Sequence, residues 1–132
     1  MTQYLLDTSA FLEARTNADA GQRIKQLGLA EALATCTPAV LEMMAEARSA
    51  ADWRALRTAF DGMPRADLSD PTQAIDLQGR LAQRGEHRMP LVALIVAATA
   101  AEHGLTVLHY DQDFVLLSEV TGGTHEWVVP AR

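Results

Sequence analysis

Residues 89–111 read "MPLVALIVAATAAEHGLTVLHYD", and this stretch decides the fold. No charged side chain occurs from Met89 to Ala101; Glu102, His103 and Gly104 follow, and an apolar run then resumes and stops at Asp111. Pro90 near the start and His103-Gly104 at the end bracket a helix whose apolar character all round suits burial on several sides. "LTVLHY" has the composition of a buried strand. Helix, strand and acid in direct succession suggest a unit of a parallel sheet, whose strands need helical crossovers.

The same grammar recurs on either side. Upstream, "SDPTQAIDLQGRLAQRG" (69–85) reads as a helix with Ser69 or Asp70 as cap, Pro71 in the first turn and Gly85 at its end. Downstream, the short amphipathic segment "QDFVLLSEV" leads through Gly122-Gly123 to "HEWVV", a last strand before Pro130. At the other terminus "YLLD" is a strand ending on Asp7, and "TSAFLEAR" resumes with helical spacing. A second helix is expected from Asp19 to about Leu29, then a short strand in "ALATC". Thr37 and Pro38 open a long helix, the threonine as cap, that carries Val40, Leu41, Met44, Ala47, Ala51, Leu56 and Phe60, with a break near Asp52. The expected architecture is α/β with a largely parallel sheet, in one domain spanning residues 1–132.

Composition narrows the function. With 48% hydrophobic and 21% charged residues the chain has the balance of a globular protein, and its longest uncharged run is too short to cross a bilayer. The start "MTQYLLDTSAF" has no basic secretory signature, so a cytoplasmic location and no membrane partner are expected. A net charge of −6 argues against non-specific affinity for nucleic acid. Ten of the eleven basic residues are arginine; Arg80, Arg84 and Arg88 would share one helix face, as a solvated stripe or as phosphate contacts. Cys36 has no partner and reads as a buried apolar residue. His87, His103, His109 and His125 show no paired spacing for zinc; His103 reads as a helix-end cation, and Trp53 and Trp127 read as core or interface.

Four acids stand out. Asp7 and Asp111 each end a strand, where ligands of parallel sheets bind, Asp113 shares a turn with Asp111, and Glu42 lies among Leu41, Met43 and Met44. Any of the aspartates alone is also a good helix cap, and Glu42 alone could simply face solvent. Together, carboxylates within about 5 Å would repel by roughly 3 kcal/mol per pair at a dielectric near 20, which calls for a cation. Oxygen donors suit Mg²⁺ or Mn²⁺, and the chemistry is metal-assisted phosphoryl hydrolysis.

"YLLDTSA", "TPAVLEMM", "VAATAAEHGLTVLHYDQDF" and "EWVVP", in this order across almost the whole chain, closely resemble PIN-domain ribonucleases of the VapC toxin type. The resemblance implies a PIN-like α/β/α sandwich, a Mg²⁺- or Mn²⁺-dependent endoribonuclease, a VapB-like antitoxin and a homodimer. It assigns metal-site roles to Asp7, Glu42 and Asp111, with Asp113 in support; Thr8 and Ser9 match hydroxyl positions that hold a water or an acid. One position departs. Where the family has an aspartate opening the "LIVAATA" helix, this chain has Ala93. Either the alanine is natural and marks a weakly active or binding-only protein, or it is an engineered change that silences the nuclease; the intact flanking motifs favour the second. Weak metal binding and little cleavage are expected. A phosphotransferase with Asp7 as nucleophile fits less well, because the haloacid dehalogenase pattern wants an aspartate where Ser9 stands.

Overall fold

The computed structural model describes residues 1–132. Four strands form one sheet in the order β2-β1-β3-β4: β1 (Tyr4–Leu6), β2 (Leu33–Ala34), β3 (Thr106–His109) and β4 (Thr124–Trp127). Every neighbouring pair is parallel, with Leu5 opposite Ala34 on one side and opposite Val107 on the other, and Val107 opposite His125. The helices α1 (Thr8–Ala14), α2 (Ala18–Leu29), α3 (Thr37–Ala45), α4 (Ala50–Asp61), α5 (Thr72–Ala82), α6 (Leu91–His103) and α7 (Asp113–Thr121) make the connections. The result is the expected α/β/α sandwich. No helix is long and apolar enough to cross a membrane.

The topology locates the site. From β1 the chain travels outward to β2 and then returns to place β3 on the other side of β1, so the order reverses between β1 and β3. Ligands of open parallel sheets bind at such a reversal, beyond the carboxyl ends of the strands. Asp7 directly follows β1 there, its amide donating to the Leu108 carbonyl of β3 at 3.0 Å.

Helix α6 is the central crossover. Its apolar surface contributes Leu94, Val96, Ala97, Ala98 and Ala100 to a single hydrophobic core, and it packs against β1, β3, α3, α5 and α7. That explains its sequence, since a helix covered on several sides has no polar face to show. Gly104 ends it in the left-handed region at φ 66°, a conformation glycine adopts without the steric cost other residues meet.

Several local expectations need correction. Thr37 does not cap α3: its amide and hydroxyl donate to Asp67 Oδ1 and Oδ2 at 2.6 and 2.7 Å, so a carboxylate remote in sequence serves the helix start. The expected helix break is present but spans residues 46–49, just before Asp52; Ser49 Oγ accepts the Asp52 amide at 3.1 Å, while the Asp52 carboxylate accepts the Arg48 amide at 2.8 Å. Helix α5 stops at Ala82, before Gly85, so Arg88 lies beyond it and the three arginines share no helix face. Trp53 is 41% exposed, so of its two readings the core one does not hold. Cys36 is fully buried as expected, and burial pushes its thiol up to about 11.

Candidate functional site

Asp7 is 4% exposed. Its Oδ2 accepts the Ser9 amide at 2.9 Å and the Ser9 hydroxyl at 2.5 Å, which caps α1. The Ser9 oxygen in turn accepts the Tyr110 amide at 2.8 Å. One hydroxyl therefore ties the end of β1 to the end of β3. Asp7 Oδ1 takes no hydrogen bond from the protein.

Asp111 follows the same plan. Its Oδ1 accepts the Asp113 amide at 3.0 Å at the start of α7, and its Oδ2 has no protein donor. Capping and chemistry are thus compatible: each strand-ending aspartate uses one oxygen to start a helix and keeps the other free. Glu42 is exposed on α3, where its Oε1 accepts the Thr8 hydroxyl at 2.8 Å. The two hydroxyls after Asp7 divide the work, Thr8 holding Glu42 and Ser9 holding Asp7.

The electrostatics point one way. Burial raises the Asp7 carboxyl from 3.8 to about 6; the Ser9 hydrogen bonds oppose the shift, and the nearby charges of Asp111 and Glu42 add to it. Asp113 is also raised, by partial burial and then by Asp111. No arginine, lysine or histidine offsets either carboxyl. A buried carboxylate among like charges, with no cation, is an unfavourable arrangement for folding and a suitable one for binding a positive ion.

The acids approach one another, but they do not close into a cage: no group of three or more Asp, Glu, His or Cys side chains is near enough to hold a metal ion together. Ala93 is the third residue of α6, 7% exposed, on the helix that touches β1, β3 and α3. Those neighbours lead to or carry Asp7, Asp111 and Glu42. The donor chemistry of hard oxygens suits a small divalent cation that keeps several waters, with fewer direct protein ligands than a closed site would offer.

A second arrangement lies beside the acids, one that residue order alone does not reveal. His109 is fully buried on β3 and His125 lies beside it on β4, with His109 Nε2 2.8 Å from His125 Nδ1. His109 Nδ1 lies 3.0 Å from the Asp111 amide, which can only donate. The lone pair is therefore on Nδ1, the proton on Nε2, and His109 donates to His125 Nδ1. Burial, then the His125 charge, lowers His109 to about 4, so the neutral tautomer persists. Phe114 and Trp127 pack on its ring at 5.0 and 4.8 Å. The pair is seventeen residues wide in sequence and visible only once the β3–β4 register is fixed.

Comparison with known proteins agrees with this geometry. The PIN domain profile matches residues 4–120. Ribonuclease VapC51 of Mycobacterium tuberculosis is 36% identical, the match covering 98% of this chain and 95% of that protein. Ribonuclease VapC21 of the same organism is 38% identical, over 97% and 95% respectively. Among solved structures, the DNA-bound VapBC of Salmonella typhimurium superposes with a TM-score of 0.76 at 17% identity, covering 98% of this chain and 100% of that one. FitAcB of Neisseria gonorrhoeae gives 0.68 at 18% identity, over 93% and 96%. At such identities the structural likeness bears on fold alone.

Proposed function

Since the chain belongs to the PIN-domain family and, within it, to the VapC ribonucleases, we propose that it is the toxin of a toxin–antitoxin pair, an endoribonuclease that hydrolyses RNA phosphodiester bonds with the help of Mg²⁺ or Mn²⁺. Residues 1–132 act as one PIN domain in the cytoplasm, as a homodimer, and a VapB-like antitoxin covers the acidic site. The observation that carries the reading is Asp7: buried, raised to about 6, flanked by Asp111 and Glu42, and without a cation.

Asp7, Glu42 and Asp111 would hold the cation, in part through its waters because no three acids close on one point, and Asp113 would support them. The chemistry a bound divalent ion supplies is a lower pKa for the attacking water and neutralisation of the non-bridging phosphate oxygens. The chain's own contribution is placement. Ser9 fixes Asp7 and, through Tyr110, keeps the ends of β1 and β3 together; Thr8 aims Glu42; His109 anchors the Asp111 amide. Free oxygens on Asp7 and Asp111 remain for the ion and its waters.

Ala93 weakens this site. One carboxylate fewer lowers the negative charge by one, and losses even of supporting groups around a metal cost about 10–100-fold in affinity or activity. A second reading follows from the same residue: a PIN domain that only binds its antitoxin. Incubating total RNA with this protein and with its Ala93→Asp variant, in Mn²⁺ and in chelator, separates the two. The ribonuclease reading expects metal-dependent cleavage by Ala93→Asp and at least ~10-fold less by the alanine form; absence of cleavage by both, with antitoxin binding intact, supports binding alone.

A further inference from the structure

Three arginines four apart in sequence meet three different fates. Arg80 donates to the Val120 carbonyl, and Arg84 pairs with Glu119 at 3.5 Å. Arg88 has neither an ion pair nor a hydrogen bond from its guanidinium. It stands exposed in the loop between α5 and α6, beside His87.

That loop is shaped rather than loose. The Gly85 amide donates to Ala82 O at 3.0 Å and the Glu86 amide to Leu81 O at 2.9 Å. Gly85 then turns at φ 73°, which sends residues 86–89 away from the end of α5 before Pro90 redirects the chain into α6. Between this loop and the start of α7 lies an open cleft of about 580 Å³, lined by Gly85, Glu86, His87, Arg88, Met89 and Asp113. Its volume is in the range of small-ligand sites. Asp113 lines the cleft, and its amide is bound to the Asp111 carboxylate, so the cleft opens beside the acidic centre.

A chain of net charge −6 repels a polyanion. Screening limits that repulsion to about 10 Å at 0.1 M salt, so what a strand meets at the site depends on local cations. Arg88 is the unpaired guanidinium in the wall of this cleft. Glu86 and Asp113 oppose it there, so the attraction is local and directional, not a broad basic field.

We propose that the cleft between residues 85–89 and Asp113 is a phosphate subsite for single-stranded RNA, in which Arg88 grips a backbone phosphate next to the scissile one while His87 lines the path. The inference rests on the ribonuclease reading and adds to it where the strand runs: past the α5–α6 loop, not over α4, whose exposed Arg54 is also free of ion pairs. A planar guanidinium suits this task because it meets two phosphate oxygens at once. The contact is to backbone and carries no base preference.

The test is fluorescence anisotropy of a 5′-labelled single-stranded RNA in chelator, where neither cleavage nor metal intervenes, with the full chain, Arg88→Ala and Arg54→Ala. Arg88→Ala is expected to weaken binding about 5- to 10-fold and to reduce the slope of log K against log salt by about 0.7, the value for one phosphate contact on a single strand. Arg54→Ala is expected to leave both unchanged. In the Ala93→Asp background, Arg88→Ala should raise KM for RNA with kcat within about twofold, because the contact exists before and during the reaction alike. Equal losses from Arg54 and Arg88, or none from Arg88, overturn the subsite. If Ala93→Asp cuts RNA and Arg88→Ala matches it in KM, the subsite falls and the ribonuclease stands; if Ala93→Asp neither binds nor cuts RNA, both fall.

Discussion

Asp7 and Asp111 follow adjacent parallel strands, and each holds with one oxygen an amide at the start of the next helix, yet their surroundings differ. Asp7 is 4% exposed, held by both the amide and the hydroxyl of Ser9, and raised to about 6. Asp111 is half-buried, its oxygen accepts a single amide, and its own amide is secured from behind by His109. The first is a charge kept from water at a cost to stability, the second a charge kept in place near water. A cation placed between them would relieve the first and be oriented by the second, so on the proposed reading Asp7 would contribute most to its affinity.

The most severe way to break this comparison is Asp7→Asn. In the Ala93→Asp background it should reduce RNA cleavage more than 100-fold, while Asp113→Asn, further from the buried oxygen, costs about 10-fold or less. Equal effects would erase the distinction between the buried acid and its supporting carboxylate.

Stability against pH examines the same asymmetry without activity. The folded Asp7 pKa, about 6, lies above its ordinary value of 3.8, so between those values the folded state holds more protons than the unfolded one. Stability should therefore fall as pH rises from about 4 to 6 and level off above, by roughly 3 kcal/mol for a shift of this size at about 1.4 kcal/mol per pH unit. Asp7→Asn should remove most of that slope, matching the parent near pH 4 and melting higher at pH 8; parallel melting curves would contradict the assignment.

Ser9→Ala sharpens the comparison next. It removes both hydroxyl contacts at once, leaving the Tyr110 amide without its acceptor and Asp7 with less support for its charge. A loss of about 1–3 kcal/mol is expected, larger at pH 8 than at pH 4. On the β3 side, His109→Phe keeps the packing against Phe114 and Trp127 but leaves the Asp111 amide unpaired, for about 1–2 kcal/mol with no change in the Asp7 pH dependence. The smallest effect belongs to Ala93→Asp without metal. Adding a carboxylate to this acidic end should lower the melting temperature slightly, by about 1 kcal/mol of stability, and a clear rise would refute the repulsion argument.

Much of this was legible in residue order because it is local. The helix of residues 91–103 announced itself by Pro90, Gly104 and an uninterrupted apolar run, and both strand-ending aspartates could be placed from their neighbours alone. The hydroxyls of Thr8 and Ser9 stand where a water, an acid or a cap is expected, and each holds a different acid. What sequence concealed depends on distant partners. Thr37 looked like a cap until Asp67, thirty residues away, satisfied its amide and hydroxyl. The spacing of Arg80, Arg84 and Arg88 suggests one face only if a helix runs through all three, and α5 ends at Ala82. His109 and His125 meet through strand register, and register is a property of the assembled sheet.

The central claim is that the acids around Asp7 form a divalent-cation site from which position 93 has lost a member. Isothermal titration of Mn²⁺ into this protein and into its Ala93→Asp variant, in the same buffer near pH 7.5, tests it most directly. The account predicts at least ~10-fold tighter binding by the aspartate form, abolished by Asp7→Asn. Equal affinity in the two forms, or binding that survives Asp7→Asn, would contradict it.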